Sequence, residues 1–294
     1  MRLGYHHHIY APHNSSGTPA QQPPRTEPTR SVFGPRRFRI LQKLTSGEPA
    51  ELYLAEDRHL CRPLTLKLLH ANTNYDPIAA KLLEREARLL ARIDHPNVAA
   101  VLDLGVLGTE LCMTLQAVGV DGLSEWLANN QPGQAQVLAV LRQAGQGLAA
   151  AHAVGVVHGD LIPARVRIDR FQNVRLVDFE RARDLAPEPG AWERQGPPLL
   201  VDLNYAAPET RDREKGRHDR LSDQYSFCVL AWEALTGRRP PHDVEQHVGL
   251  RGHRREPAYK VLARGLSHNP TARWPDMDQL LEALERAGSK RFLF

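Results

Sequence analysis

Apolar positions are scattered before residue 36 and regular after it. Residues 1–35 set Pro12, Pro19, Pro23, Pro24, Pro28 and Pro35 in polar sequence without apolar periodicity, the pattern of a disordered tail. Short β-like runs follow at Phe38–Leu44, Glu51–Ala55 and Leu64–Leu69, as in an antiparallel meander. Asp76 and Pro77 then open a helix as N-cap and first helical residue. Ile78, Leu82, Leu89, Leu90 and Ile93 recur along it at helical spacing. Glu86 falls on the same stripe, between Leu82 and Leu89. A carboxylate on an apolar face requires a cationic partner.

Two more strands are expected at Val98–Leu104 and Leu111–Leu115. Gln134–Val154 reads as a long helix with Gly155 as its C-terminal cap. Val166–Ile168 and Val174–Val177 flank a turn at Asp169–Asn173, a β-hairpin. Ser222–Leu235 is apolar nearly all round and predicts a buried helix ended by Gly237. Asp276–Arg286 is a final amphipathic helix. Strands come first and helices after, which predicts an α+β fold.

Composition narrows the function classes. The 294 residues suit one two-lobed domain with an appendage. The net charge of +4 is mild and no dense basic run occurs, so nucleic acid is not an expected partner. Cys61, Cys112 and Cys228 are scattered and odd in number, which points to a reducing compartment rather than a disulfide framework. No stretch approaches the ~18 apolar residues of a membrane span, and the N-terminus lacks the apolar region of a signal peptide. A cytoplasmic location without a membrane partner is the expectation.

The chemistry-bearing residues form an ordered series. His158-Gly159-Asp160-Leu161 is followed by Asp178-Phe179-Glu180. Upstream lie Leu64-Thr65-Leu66-Lys67 and His95-Pro96-Asn97; downstream lie Ala207-Pro208-Glu209, Asp223 and Arg273. In this order they resemble the motifs of serine/threonine protein kinases over roughly residues 38–287. The resemblance implies a two-lobed protein kinase-like fold. A small antiparallel β N-lobe with one helix would span 36–115, a larger, mainly helical C-lobe 116–290, and the tail 1–35. It also implies roles. Asp160 would be the catalytic base, Lys67 the phosphate clamp, Glu86 its orienter and Asp178 the Mg²⁺ ligand. Gly47, Leu52, Thr65, Lys67, Leu115, Arg165 and Arg167 would border the ATP site. Glu209 would pair with Arg273, and Asp223 would brace the catalytic loop.

The pattern also breaks. The stretch Thr45–Ala50 keeps only Gly47 of three expected glycines, and Glu48 and Pro49 suit phosphates badly. Arg165 stands where the family has a metal-binding Asn, and a guanidinium has donors but no acceptor. Held about 4 Å from Mg²⁺, it would be repelled by roughly 8 kcal/mol at an effective dielectric of about 20. Arg167, two positions on, shares its face at the floor under adenine, and both arginines are expected to point into the cleft. Thr65 replaces a small Ala above adenine. Ile162 stands in place of a Lys. Gly159 replaces an Arg that receives activation-loop phosphate, and Arg181–Asn204 contains no Ser, Thr or Tyr.

Two readings follow. In the first, the domain is a degenerate kinase with weakened ATP and Mg²⁺ sites, weak or absent activity, and a signalling role through a protein partner. In the second, it is an active enzyme transferring the γ-phosphoryl of ATP to Ser or Thr of a protein substrate. Small-molecule phosphotransfer fits less well, because those enzymes keep the Asn that is Arg165 here and lack the Ala207-Pro208-Glu209 segment.

Overall fold

The structure, a computed structural model, describes residues 31–34, 36–45, 50–69, 77–185, 202–211, 218–241 and 257–289. The expectations for the tail before residue 31, for Asp76 as a cap, and for Pro187, Pro189, Pro197 and Pro198 lie outside these residues.

The N-terminal part is a six-stranded sheet. It comprises β1 (Ser31–Phe33), β2 (Phe38–Thr45), β3 (Ala50–Asp57), β4 (Arg62–Leu69), β5 (Val101–Leu107) and β6 (Glu110–Gln116), in the order β1-β5-β6-β4-β3-β2. Neighbours are antiparallel except β1, which lies parallel to β5. The sequence pattern predicts five antiparallel strands and leaves 31–33 in the tail. A three-residue strand has no period to read, and its anchor is a single side chain. Phe33 is buried with Ala55, Leu64, Leu66 and Cys112. Its ring meets Phe38 edge-on at 5.2 Å. Arg37 lies over both rings and pairs at 2.8 Å with the fully buried Asp57. That contact, working against burial, holds the Asp57 carboxyl below its ordinary range.

Helix α1 (Pro77–Leu90) packs against the opposite face of the sheet. Its buried side includes Leu82, Leu83, Leu89 and Leu90, together with Glu86, while Ile78 in the first turn is exposed. The strand expected from Val98 begins at Val101 instead. The chain leaving α1 first pairs elsewhere. Ala99 N–H donates to Leu176 O at 3.0 Å, and Leu176 N–H to Asn97 O at 2.8 Å. Asn97 Nδ2 adds a bond to Val174 O at 2.8 Å. His95-Pro96-Asn97 thus ties the sheet part to the helical part.

The C-terminal part holds β7 (Asp121–Gly122), α2 (Leu123–Asn130), α3 (Gln134–Ala153), β8 (Val156–Val157), β9 (Val166–Ile168), β10 (Val174–Leu176), β11 (Arg183–Asp184), α4 (Arg220–Thr236), α5 (Pro257–Gly265) and α6 (Met277–Ser289). Gly155 closes α3 with φ +76° and donates to His152 O at 3.1 Å. Helix α4 is buried along most of its length. Asp219 caps it by accepting from the backbone of Leu221 and Ser222. Helices α2 and α5 escape the sequence reading because two turns carry too few apolar positions to set a period. Two lobes of this composition make the α+β kinase-like fold that the sequence predicts. Among the described residues, no helix is long and apolar enough to cross a membrane.

Arg273 ties the helical part together. It is fully buried and makes a two-pronged contact with Glu209 at 2.6 and 2.8 Å. It also donates to the carbonyls of Ser267 and Leu221, both at 2.9 Å. Four satisfied bonds are what makes a buried guanidinium tolerable.

The Phe33 anchor predicts a specific weakness. Phe33→Ala should cost about 3 kcal/mol of stability in urea unfolding. It should also open Cys112 to a thiol reagent. The parent should show one rapidly modified thiol, the exposed Cys61, because Cys112 and Cys228 are buried. An unchanged thiol count and an unchanged unfolding midpoint would show that β1 does not cover this core.

Candidate active site

Alternation along β4 sends Leu64 and Leu66 to the outer core and Thr65 and Lys67 to the inner face. Lys67 there meets Glu86 of α1 at 2.7 Å, and both side chains are buried. This is the partner that the carboxylate on the apolar stripe demands. Lys67 Nζ also donates to Asp178 Oδ1 at 2.5 Å and lies 3.8 Å from Glu180. Burial alone would lower the Lys67 pKa; the carboxylates of Asp178, Glu86 and Glu180 outweigh it and raise it. Burial pushes Glu86 up to about 7, against the pull of Lys67. Its Oε1 has no hydrogen-bond partner among the described residues.

The loop after β8 is braced from below. Asp223 accepts the backbone N–H of His158 at 2.7 Å and of Gly159 at 2.9 Å, and it contacts His152 Nε2 at 2.9 Å. The His158 ring leans on Phe179 at 4.5 Å. Gly159 has φ +79°, and a Cβ there would lie 2.5 Å from Arg181 O. An Arg cannot occupy this position without moving the backbone of Arg181. Arg181 instead places its Nε 2.9 Å from Asp160 Oδ2, as an ion pair without hydrogen-bond geometry.

A 3₁₀ turn at Pro163–Arg165 carries Arg165 into the cleft. Its Nε pairs with Asp178 Oδ2 at 2.7 Å, and one terminal nitrogen reaches Asp160 Oδ2 and the Asp160 carbonyl. One guanidinium therefore bridges the two aspartates that the family's chemistry needs. Burial disfavours the charged Arg165, but Asp178 and Asp160 more than compensate and raise its pKa. Asp178 is the converse. Burial raises it, and Lys67 and Arg165 together hold it well below the usual carboxylate range. Asp160 Oδ1 accepts a long 3.4 Å bond from the backbone N–H of Asp202. The sequence reading assigned no contact with Asp160 to Arg181 or Asp202; the nearness of Arg181 to Asp178 along the chain was the available signal for a further cation beside the aspartates.

A divalent cation does not fit this arrangement. Mg²⁺ takes oxygen ligands, but Asp178 Oδ1 is held by Lys67 and Oδ2 by Arg165. Among the described residues, no group of three or more His, Cys, Asp or Glu is placed to hold a metal. Asp178 also has φ +62°, a left-handed backbone that Asp tolerates better than most residues.

The remaining candidates lie beside this network. Leu52, Thr65 and Leu115 are buried on the sheet side. Arg167 does not join Arg165 in the cleft. It turns to the connector between β6 and β7, donating to Gly119 O at 3.1 Å, to Val120 O, and to Ala164 O at 3.5 Å. A buried guanidinium needs acceptors, and those carbonyls are nearer than any carboxylate free to take it. Gly47, Glu48 and Pro49 lie outside the described residues, as does most of the segment Arg181–Asn204.

A protein kinase domain model matches residues 38–291. Similar proteins include the serine/threonine-protein kinases pkn2 of Myxococcus xanthus, 36% identical over 207 residues, and PrkC of Bacillus subtilis, 29% identical over 215 residues. PknL of Mycobacterium tuberculosis is 33% identical over 216 residues. The aligned stretches cover 69%, 73% and 73% of this chain but 25%, 32% and 53% of those proteins. The chain thus spans between a quarter and about half of their length. Protein kinases generally use ATP and Mg²⁺ to phosphorylate protein substrates. The match runs from the first residue of β2 to just beyond α6 and takes in both parts of the fold: this chain belongs to the protein kinase family.

Proposed function

We propose that this domain is a degenerate protein kinase that acts in signalling by binding a protein partner, with an internal cation where active kinases hold metal. The domain would span about residues 36–290 as a sheet lobe (36–115) and a helical lobe (116–290), after a tail of 1–35. Three unpaired thiols suit a reducing, cytoplasmic setting.

The bridging of Asp160 and Asp178 by Arg165 carries this reading. A general base must reach the proton it removes, yet Asp160 Oδ2 is shared by Arg165 and Arg181. A phosphate clamp must present its ammonium, yet Lys67, oriented by Glu86 as an active kinase requires, also donates to Asp178. The parts that hold the fold are whole: Glu209 with Arg273, and Asp223 under the loop. Those that would move a phosphoryl group neutralise one another.

One observation favours the active reading. Lys67, Glu86, Asp160 and Asp178 are assembled together, so departure of Arg165 would leave an ordered kinase site. A transfer assay separates the two. With γ-labelled ATP, Mg²⁺ and a general Ser/Thr protein substrate, the parent should transfer no more label than Asp160→Asn. Transfer that depends on Asp160 would establish the active enzyme instead.

Removing the internal cation should create a metal site. Arg165→Asn frees Asp178 Oδ2, leaves Asp160 Oδ2 to Arg181 alone, and restores an oxygen donor. Mn²⁺ binding, read by water proton relaxation without nucleotide, should tighten by about tenfold or more, equivalent to about 1.4 kcal/mol. Equal Mn²⁺ affinity in parent and variant would show that Arg165 is not what excludes metal.

A further inference from the structure

The connector from β6 to β7 runs along one edge of the cleft. Its backbone offers an N–H at Val118 and carbonyls at Gly119 and Val120, and side chains from both parts of the fold take all three. From β4, Thr65 Oγ1 accepts the Val118 N–H at 3.1 Å. From β9, Arg167 donates to Gly119 O at 3.1 Å and to Val120 O. Thr65 and Arg167 are the residues at the positions implied for the roof and floor of a base pocket. Leu52, Leu115 and Val118 belong to the same apolar core, and with Thr65 and Arg167 all five are between 0 and 6% exposed.

The connector is also pressed onto β9. A Cβ added at Gly119 would fall 2.0 Å from the carbonyl group of Ile168. Only glycine allows that approach, and it brings the Gly119 carbonyl within reach of Arg167. A planar base entering between β4 and β9 would have to break the Thr65–Val118 bond and strip acceptors from a buried guanidinium. Both leave polar groups unsatisfied in a dry site.

We infer that the base-recognition edge of this cleft is an internal clasp: Thr65 and Arg167 occupy the Val118 N–H and the Gly119 and Val120 carbonyls of the connector, exclude purine nucleosides, and tie β4 to β9 without a ligand. This deepens the binding-domain reading and rests on it, but it uses atoms separate from Arg165 and its aspartates.

Adenosine tests it, because the nucleoside carries no phosphate and needs no metal. Millimolar adenosine should leave the melting temperature of the parent unchanged and raise that of Thr65→Ala/Arg167→Leu. Amide hydrogen exchange gives a second readout if the double variant does not fold. The Val118 N–H should be protected in the parent and exchange at least about tenfold faster in Thr65→Val. Stabilisation of the parent by adenosine, a folded double variant indifferent to it, or equal exchange in parent and Thr65→Val would each overturn the clasp. Adenosine binding by a parent that transfers no phosphoryl group would remove the clasp and leave the binding-domain reading standing.

Discussion

A guanidinium shared by two aspartates is the constraint on which the centre of this molecule rests. Asp160 and Asp178 come from different loops and converge on Arg165 with little solvent to screen them. Two carboxylates brought together in a poorly solvated site must acquire a cation or a proton. Most kinases meet this need with Mg²⁺, which arrives and leaves with nucleotide. Here the cation is covalently part of the chain. Arg181 and Lys67 complete the set, so that three cationic side chains face Glu86, Asp160, Asp178 and Glu180.

That exchange changes what the fold can do. A metal ion delivers charge only when ligand is present, whereas Arg165 delivers it always. The inward position of α1 is held by Lys67 and Glu86, and Lys67 in turn is held by Asp178. The chain of contacts from α1 through β4 to the loop at Asp178 therefore closes without an added group. Asp223 below the loop and Arg273 behind Glu209 hold the helical lobe by the same means, buried charge held by several hydrogen bonds. In the proposed reading, such a domain keeps the kinase fold and offers a partner a fixed surface.

Much of this was legible in the sequence, for physical reasons that differ by residue. Glu86 betrayed itself because a carboxylate on an apolar stripe needs a cation, and the resemblance to kinase motifs named Lys67 as that cation. Arg165 could be placed near Asp160 and Asp178 because it replaces a metal ligand and carries the opposite charge. Gly155 and Gly237 ended helices as their lack of a side chain allows. Other features had no local signal. The strand at Ser31–Phe33 depends on a pocket made by Leu64, Leu66 and Cys112, which are distant in sequence. Arg167 was expected to share a strand face with Arg165, but Arg165 belongs to the 3₁₀ turn before β9, and the direction of Arg167 was set by carbonyls of a connector that no periodicity describes. Gly159 read as the loss of an Arg; why glycine stands there had no local signal, since it is the backbone of Arg181 that fills the space a side chain would need.

The state of Arg165 in solution tests this account most directly. Its side-chain Nε–H can be followed by nitrogen-15 NMR in the parent protein, with Arg165→Lys used for assignment. An Nε–H buried against the Asp178 carboxylate should exchange slowly with solvent, and its resonance should stay in place as millimolar Mg²⁺ and ATP are added together. A rapidly exchanging Nε–H, or one that shifts and loses protection as Mg²⁺ and ATP are titrated, would mean that the guanidinium yields its place to metal and would contradict the account.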